Sequence, residues 1–396
     1  MVDLSNSATM STPSMEIALG CIPADPNGIE SKNVTNVLDL WHLKKEIPAP
    51  FVWPHADTHP SSLTTTELDV PVVDVGAALR SAAGMRHAAA QVAAACASHG
   101  FFQVTGHGVD PALARAALDG AGGFFDLPLA TKQRARRAPG TVTGYASAHA
   151  DRFASKLPWK ETLSFGHDHD DGDSRVVVDY FTSTLGDDFK DLGEVYQEYC
   201  KAMEEASLAI MEVLGVSLGL GRGYYRDFFA DGSSIMRCNY YPRCPEPDRT
   251  MGTGPHCDPS ALTILLQDGA VDGLQVFLDG AWRSVRPKPG ELVVNIGDTF
   301  MALSNGRYKS CLHRAVVHRE QERRSLAYFL CPRHDRLVRP PPPSSPAPAP
   351  RLYPDFTWAD LMRFTQRHYR ADSRTLDAFA RWLGPPSCSA PPMSPG

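Results

Sequence analysis

Two hydrophobic periods divide this chain. Between Asp187 and Leu220, the residues Leu192, Val195, Tyr196, Tyr199, Met203, Ala206, Ile210 and Leu214 recur at steps of three and four, which predicts one long helix packed through an apolar stripe. Between Ser234 and Pro332 the stripe gives way to short apolar runs at 262–266, 274–278, 282–285, 292–296, 312–317 and 325–330, separated by Gly, Pro and Asp turns. Six short runs in about 100 residues predict a closed or double-sheet antiparallel architecture.

Upstream, Pro71–Val75 predicts a strand, and an Ala-rich stretch from about Leu79 to His99 a helix stopped by Gly100. Phe101–Val104 reads as a second strand, and Asp110-Pro111 supplies an N-cap and first-turn proline for a helix reaching Phe125. Downstream, Pro340–Pro350 predicts an extended surface loop. Thr357 and Asp360 are spaced to cap a helix ending near Tyr369, and a last helix spans about Thr375–Leu383. The expected organisation is a flexible extension over 1–45 with one short helix near Val37–Leu43, a helix-and-strand region over 46–225, and a strand-rich core over 226–335. The proline-rich loop and C-terminal helices follow over 336–385, then a disordered tail over 386–396. No internal repeat is visible.

Composition narrows the function classes. A net charge of −6, with no Lys/Arg block interleaved with aromatics, argues against a nucleic-acid partner. No apolar stretch reaches the roughly 18 residues a membrane helix requires. The first residues lack the basic-then-apolar pattern of a secretory leader. Nine cysteines without a Cys-x-x-Cys pair suit free thiols in a reducing compartment, so a cytoplasmic enzyme with no obligate protein partner is expected.

The sharpest chemical signal is Gly254-Pro255-His256-Cys257-Asp258-Pro259. Along a strand, residues i and i+2 share a face, so His256 and Asp258 present an imidazole and a carboxylate together, and the flanking prolines place them at a strand end. A third ligand must come from His313 or His318, which are five apart and face opposite sides of one strand. Two histidines and a carboxylate suit an oxygen-activating iron(II), with positions left open for a bidentate 2-oxo acid and dioxygen, and they also suit a zinc hydrolase. Arg323 and Ser325 open the next strand on one face, and an arginine fork with a hydroxyl suits the far carboxylate of a dicarboxylic 2-oxo acid. A short turn from Val317 to Arg323 would place His313 and Arg323 on neighbouring strands, which favours His313. Arg237, Asn239 and Tyr241 share parity, putting an amide and a phenol within reach of the same acid. Gly166–Asp173 lacks the spacing of a calcium loop and reads as solvated.

The segment 239–247, Asn-Tyr-Tyr-Pro-Arg-Cys-Pro-Glu-Pro, together with His256-x-Asp258, His313 and Arg323-x-Ser325, resembles the pattern of plant 2-oxoglutarate-dependent dioxygenases. Leu157-Pro-Trp-Lys-Glu-Thr-Leu-Ser-Phe165 is similar to a segment associated with the gibberellin 20-oxidases within that family. The resemblance runs from about Pro48 to Leu383. It implies a mixed α and β fold, a distorted double-stranded β-helix (jelly roll) flanked by helices. It also implies iron(II) on His256, Asp258 and His313, and 2-oxoglutarate on Arg323 and Ser325 with Asn239 and Tyr241 nearby. Dioxygen would be the oxidant, and ascorbate the reductant. The subfamily implies oxidation of carbon-20 of gibberellin precursors, which are diterpenoid acids. Such an acid needs an apolar pocket with one cation, for which Arg237 is the candidate. Trp159 and Lys160 are expected to pack. The alternatives are another gibberellin position, a flavonoid substrate, or a non-catalytic jelly roll that binds a hormone.

Overall fold

The computed structural model describes residues 40, 46–54, 65–148, 156–169, 175–269, 271–342, 350–368 and 375–384. The short helix expected near 37–43, apart from Leu40, the centre of the proline-rich loop and the tail over 386–396 lie outside the described residues.

Local signals set the first elements. Val72–Asp74 forms β1, and Asp74 caps α1 (Val75–Arg80) by accepting from the Ala77 amide at 2.8 Å. Ser81 is extended and caps α2 (Ala82–Ser98) through Gly84, so the Ala-rich stretch is two helices broken at a serine, not one starting at Leu79. Gly100, at φ +71°, turns the chain into β2 (Phe101–Thr105), and a Cβ there would lie 2.0 Å from the Lys309 carbonyl oxygen. Asp110 accepts from the Ala112 and Leu113 amides and Pro111 opens α3 (Pro111–Phe125), with the bounds the sequence predicts. Then come α4 (Leu129–Lys132), β3 (Gly144–Ser147), β4 (Glu161–Asp168), α5 (Val176–Leu185), the long α6 (Lys190–Ser217) and α7 (Gly223–Phe229).

The strand-rich half holds β5 (Ser233–Tyr241), β6 (Thr253–His256), β7 (Leu262–Gln267), β8 (Leu274–Leu278), β9 (Ala281–Ser284) and β10 (Leu292–Ile296). A short α8 (Asp298–Leu303) precedes β11 (His313–Ala315) and β12 (Arg323–Cys331). After β13 (Leu337–Val338) and β14 (Phe356–Thr357), which pair with each other, α9 (Trp358–His368) starts on a reciprocal Thr357–Asp360 cap, and α10 (Thr375–Leu383) follows.

The strands form a major sheet in the order β1-β2-β10-β7-β12-β5-β4-β3 and a minor sheet in the order β6-β11-β8-β9. These are the two walls of a distorted double-stranded β-helix. Alternation along the major sheet sorts its residues. Leu163 and Phe165 on β4, Met236, Cys238 and Tyr240 on β5, and Leu326, Tyr328 and Leu330 on β12 join the main apolar core with residues of α2, α3, α5 and α6. The intervening Arg237, Asn239 and Tyr241, and Arg323, Ser325 and Ala327, line the cleft on the opposite face. One wall of the major sheet is thus built for burial and the other for chemistry.

A second cluster joins Ile47, Phe51, Trp159, Tyr241, Ala315 and Val317, and Leu40, inside the extension expected over 1–45, is buried in it. Ile47 and Trp53 are tied down by hydrogen bonds to the Glu246 carboxylate and the Arg249 carbonyl, both at 2.9 Å. Among the described residues no helix is long and apolar enough to cross a membrane.

Candidate functional site

β6 ends at His256, with Asp258 two residues beyond it, and β11 runs antiparallel to β6 with His313 directly opposite His256. The two imidazole centroids are 4.2 Å apart. Asp258 reaches both rings, with Oδ1 3.5 Å from His256 Nε2 and Oδ2 3.5 Å from His313 Nε2. Each Nδ1 faces a main-chain carbonyl two residues earlier, Gly254 at 2.9 Å and Cys311 at 3.1 Å. A carbonyl only accepts, so the ring proton sits on Nδ1 and both Nε2 lone pairs point at the carboxylate.

Burial, reinforced by the neighbouring His256, lowers the His313 pKa to about 4, so its imidazole is neutral near pH 7. Burial works to raise the Asp258 pKa. A proton on His313 or His256, together with the hydrogen bond from Thr263, would outweigh it and hold the carboxyl below the usual range. Lone pairs and a carboxylate converging within 4.8 Å repel one another unless a cation lies between them. The donor set fits a divalent metal, iron(II) or zinc.

Two further residues shape this centre. Thr263 Oγ1 donates to Asp258 Oδ2 at 2.6 Å and Asn295 Nδ2 donates to the same oxygen at 3.0 Å, leaving Oδ1 as the oxygen without these donors. Sequence reasoning missed both. Their signal was a polar residue inside an apolar run, in Leu262-Thr263-Ile264 and in Val294-Asn295-Ile296. His318 is turned away, its Nε2 2.8 Å from the Asp272 carbonyl oxygen.

The expected route to His313 needs correction. β11 belongs to the minor sheet and β12 to the major one, so His313 and Arg323 are not on neighbouring strands. The segment between them crosses from one sheet to the other, and both residues line the same cleft.

The major-sheet wall carries the rest. Arg323 pairs with Tyr241, Ser325 with Asn239 and Ala327 with Arg237 across β12 and β5. Arg323 is 2% exposed, its guanidinium lies 5.2 Å from the Tyr241 ring centroid, and its Nη2 donates to Gln267 Oε1 at 2.8 Å. Asn239 Nδ2 donates to Ser325 Oγ at 3.4 Å. Arg237 donates through Nε to Ser164 Oγ at 3.0 Å and lies over the Phe329 ring.

Trp159 packs as expected, fully buried, edge-on to Phe51, with Nε1 donating to the Pro242 carbonyl at 3.2 Å. Lys160 does not simply pack. It lies immediately before β4 and lines the cleft, where Nζ donates to Thr253 Oγ1 at 3.0 Å. Burial first, then Arg237 and Arg137, push its pKa well below that of an ordinary lysine. The cleft encloses about 570 Å³ of empty space, its open mouth included, and its lining carries the guanidinium groups of Arg237, Arg314 and Arg323 against the one carboxylate of Asp258. That excess of cations favours anionic ligands. The described part of the 166–173 segment, residues 166–169, is not the solvated loop expected. β4 runs through it to Asp168, and His167 is buried against Glu204, 2.9 Å from Nε2 to Oε2, while Asp170–Asp173 lie outside the described residues.

Comparison with known proteins agrees with this geometry. Residues 232–332 match the 2OG-Fe(II) oxygenase superfamily, and residues 70–182 match the N-terminal region of a non-haem dioxygenase in morphine synthesis. The chain is 70% identical over 366 residues to gibberellin 20 oxidase 2 of Oryza sativa subsp. indica, covering 92% of each chain. It is 54% identical to gibberellin 20 oxidase 2 of Arabidopsis thaliana, covering 87% of this chain and 89% of that one. Among solved structures, JOX2 in complex with 2OG, Fe and JA superposes with a TM-score of 0.70 at 30% identity, over 87% of this chain and 98% of that one. The rice dioxygenase for auxin oxidation gives 0.66 at 29% identity, over 79% and 99%. Identity of this extent, across both the helical region and the jelly roll, means that the chain belongs to the gibberellin 20-oxidase family of iron(II)- and 2-oxoglutarate-dependent oxygenases.

Proposed function

We propose that this protein oxidises carbon-20 of gibberellin precursors at a centre formed by His256, Asp258 and His313. It is an iron(II)/2-oxoglutarate-dependent dioxygenase of gibberellin biosynthesis; the carbon attacked and the role of each residue are the proposal. The observation that carries it is the meeting of two imidazoles and one carboxylate in a cleft whose other wall presents a buried arginine fork and a hydroxyl.

Iron held there, with 2-oxoglutarate and dioxygen, supplies the oxidising power that breaks an unactivated C–H bond, with succinate and carbon dioxide as co-products. The side chains bind, orient and exclude water. His256 and His313 offer Nε2 because the Gly254 and Cys311 carbonyls hold their other nitrogens. Asp258 offers Oδ1 because Thr263 and Asn295 engage Oδ2. Arg323 and Ser325 take the distal carboxylate of 2-oxoglutarate, and Asn239 steadies the Ser325 hydroxyl while Tyr241 supports the guanidinium. Arg237, fixed by Ser164 and Phe329, meets the carboxylate of the diterpenoid acid. Ascorbate keeps the metal ferrous between turnovers.

The test is turnover of a carbon-20 gibberellin precursor by the full chain with iron(II), ascorbate and 2-oxoglutarate in air. Succinate should form in step with products oxidised at carbon-20. Oxidation at another carbon would move the protein to a different regiochemistry, and binding without succinate would support the hormone-binding alternative.

A further inference from the structure

A fully buried guanidinium is ordinarily held by a carboxylate, which would satisfy its charge and blunt its pull on an incoming anion. Here Arg323 Nη2 donates across to β7, to a neutral acceptor, the amide oxygen of Gln267, at 2.8 Å. Gln267 is the last residue of β7, paired with Ser325 rather than Arg323, so its side chain leans past the strand end to reach the fork. Its own Nε2 is fixed on the Val285 carbonyl at 3.4 Å, which sets the amide with its oxygen toward the arginine. The stem is confined too. A Cβ on Gly273 would lie 2.7 Å from Arg323 Cδ and 2.8 Å from Nε. Arg323 Nε is buried with no hydrogen-bond partner. The Tyr241 phenol also bonds the guanidinium, and the nearby acids act on it only at a distance, Asp268 pairing with Arg324 at 3.1 Å and Asp272 with Arg286 at 3.7 Å.

We infer that Gln267 is a positioning and specificity-determining residue for the co-substrate: it aims the Arg323 fork with a neutral acceptor, so the full positive charge is kept for the distal carboxylate of 2-oxoglutarate. Gly273 completes the collar by leaving room for the stem. An acid at 267 would hold the fork equally well and quench it. Discrimination between 2-oxoglutarate and 2-oxo acids lacking a distal carboxylate therefore depends on the amide at this position.

This inference rests on the assignment of Arg323 as the anchor, and the experiment separates the two. The near-isosteric Gln267→Glu is compared with Gln267→Leu, Arg323→Leu and wild type by anaerobic titration of the iron(II)-loaded full chain, following the visible charge-transfer absorption, and by steady-state KM and kcat. The probes are 2-oxoglutarate and 2-oxovalerate, which has the same chain length without the second carboxylate. Gln267→Glu should weaken 2-oxoglutarate binding by roughly 10- to 100-fold, the range expected for losing one charge-assisted interaction. It should leave 2-oxovalerate binding nearly unchanged, and kcat at saturation should fall far less than KM rises. Gln267→Leu should give a smaller loss, because aim is lost but charge is kept. Equal weakening of both acids, or an unchanged ratio between them in a folded Gln267→Glu variant, overturns the role of Gln267. Undiminished selectivity in Arg323→Leu overturns the anchor itself.

Discussion

Asp258 divides its two oxygens between two tasks. Oδ2 takes hydrogen bonds from Thr263 and Asn295, and Oδ1 is left toward the metal position. Partners of this kind orient a ligand, and their loss costs about 10- to 100-fold in metal affinity in other sites. Asn295→Ala is therefore expected to weaken iron(II) or cobalt(II) binding by roughly tenfold or more while far-ultraviolet circular dichroism stays native. Equal affinity in the variant would mean that the carboxylate is fixed by backbone alone. On the other wall, Arg237 is bonded to Ser164 and stacked on Phe329, an orientation that leaves its guanidinium lining the cleft. Arg237→Ala should raise KM for a gibberellin-type carboxylate by about tenfold, since a hydrogen-bonded charge contributes on the order of 1.5–3 kcal/mol, and leave KM for 2-oxoglutarate close to wild type. A KM for the diterpenoid acid that does not move removes Arg237 as its partner.

At the scale of single elements, β4 shows why a short stretch can be so distinctive. Lys160 and Glu161 point to opposite faces. Lys160 faces the cleft, and Glu161 is buried on the helical side, where it accepts from Lys132 Nζ at 2.7 Å and from Tyr145 at 2.6 Å. The buried pair holds the strand against α4 and β3, and through the strand it sets where Lys160 emerges. Removing one partner leaves an uncompensated buried carboxylate, so Lys132→Met should lower stability by roughly 3–5 kcal/mol in urea denaturation. The double variant Lys132→Met, Glu161→Leu should recover most of it. A loss below about 1 kcal/mol for the single variant would show that the pair is solvated in practice. The sequence made the caps of α3 and α9 legible because a side chain and its amide lie within three residues of each other. It made the His256–Asp258 pair legible through strand parity. The division of the strands between two sheets was not legible, since no local residue says whether the chain after Val317 turns back or crosses over. Nor was the burial of Lys132 and Glu161, whose partners lie 29 residues apart.

Over the whole molecule, burial of histidines ties stability to pH. His99, His169 and His313 all have lowered pKa values, each with burial as the leading cause. For His313 the window runs from its ordinary 6.5 down to about 4. Inside it the unfolded chain binds more protons than the folded one, so stability is lost as pH falls through that range and is present above it. Between pH 7 and pH 5 the metal-free protein should lose about 2 kcal/mol from His313 alone, read as a lower urea midpoint, and a midpoint unchanged or higher at pH 5 would contradict the burial argument. The larger design we propose is a jelly roll whose minor sheet carries the imidazoles of the metal site and whose major sheet carries Arg237 and Arg323 for the anionic ligands. That division is tested most directly by a crystal structure of the full chain grown anaerobically with iron(II) and 2-oxoglutarate. The expected result is one iron on His256 Nε2, Asp258 Oδ1 and His313 Nε2, with the distal carboxylate of the acid on Arg323 and Ser325. Iron bound elsewhere, or a 2-oxoglutarate whose distal carboxylate makes no contact with Arg323, would contradict it.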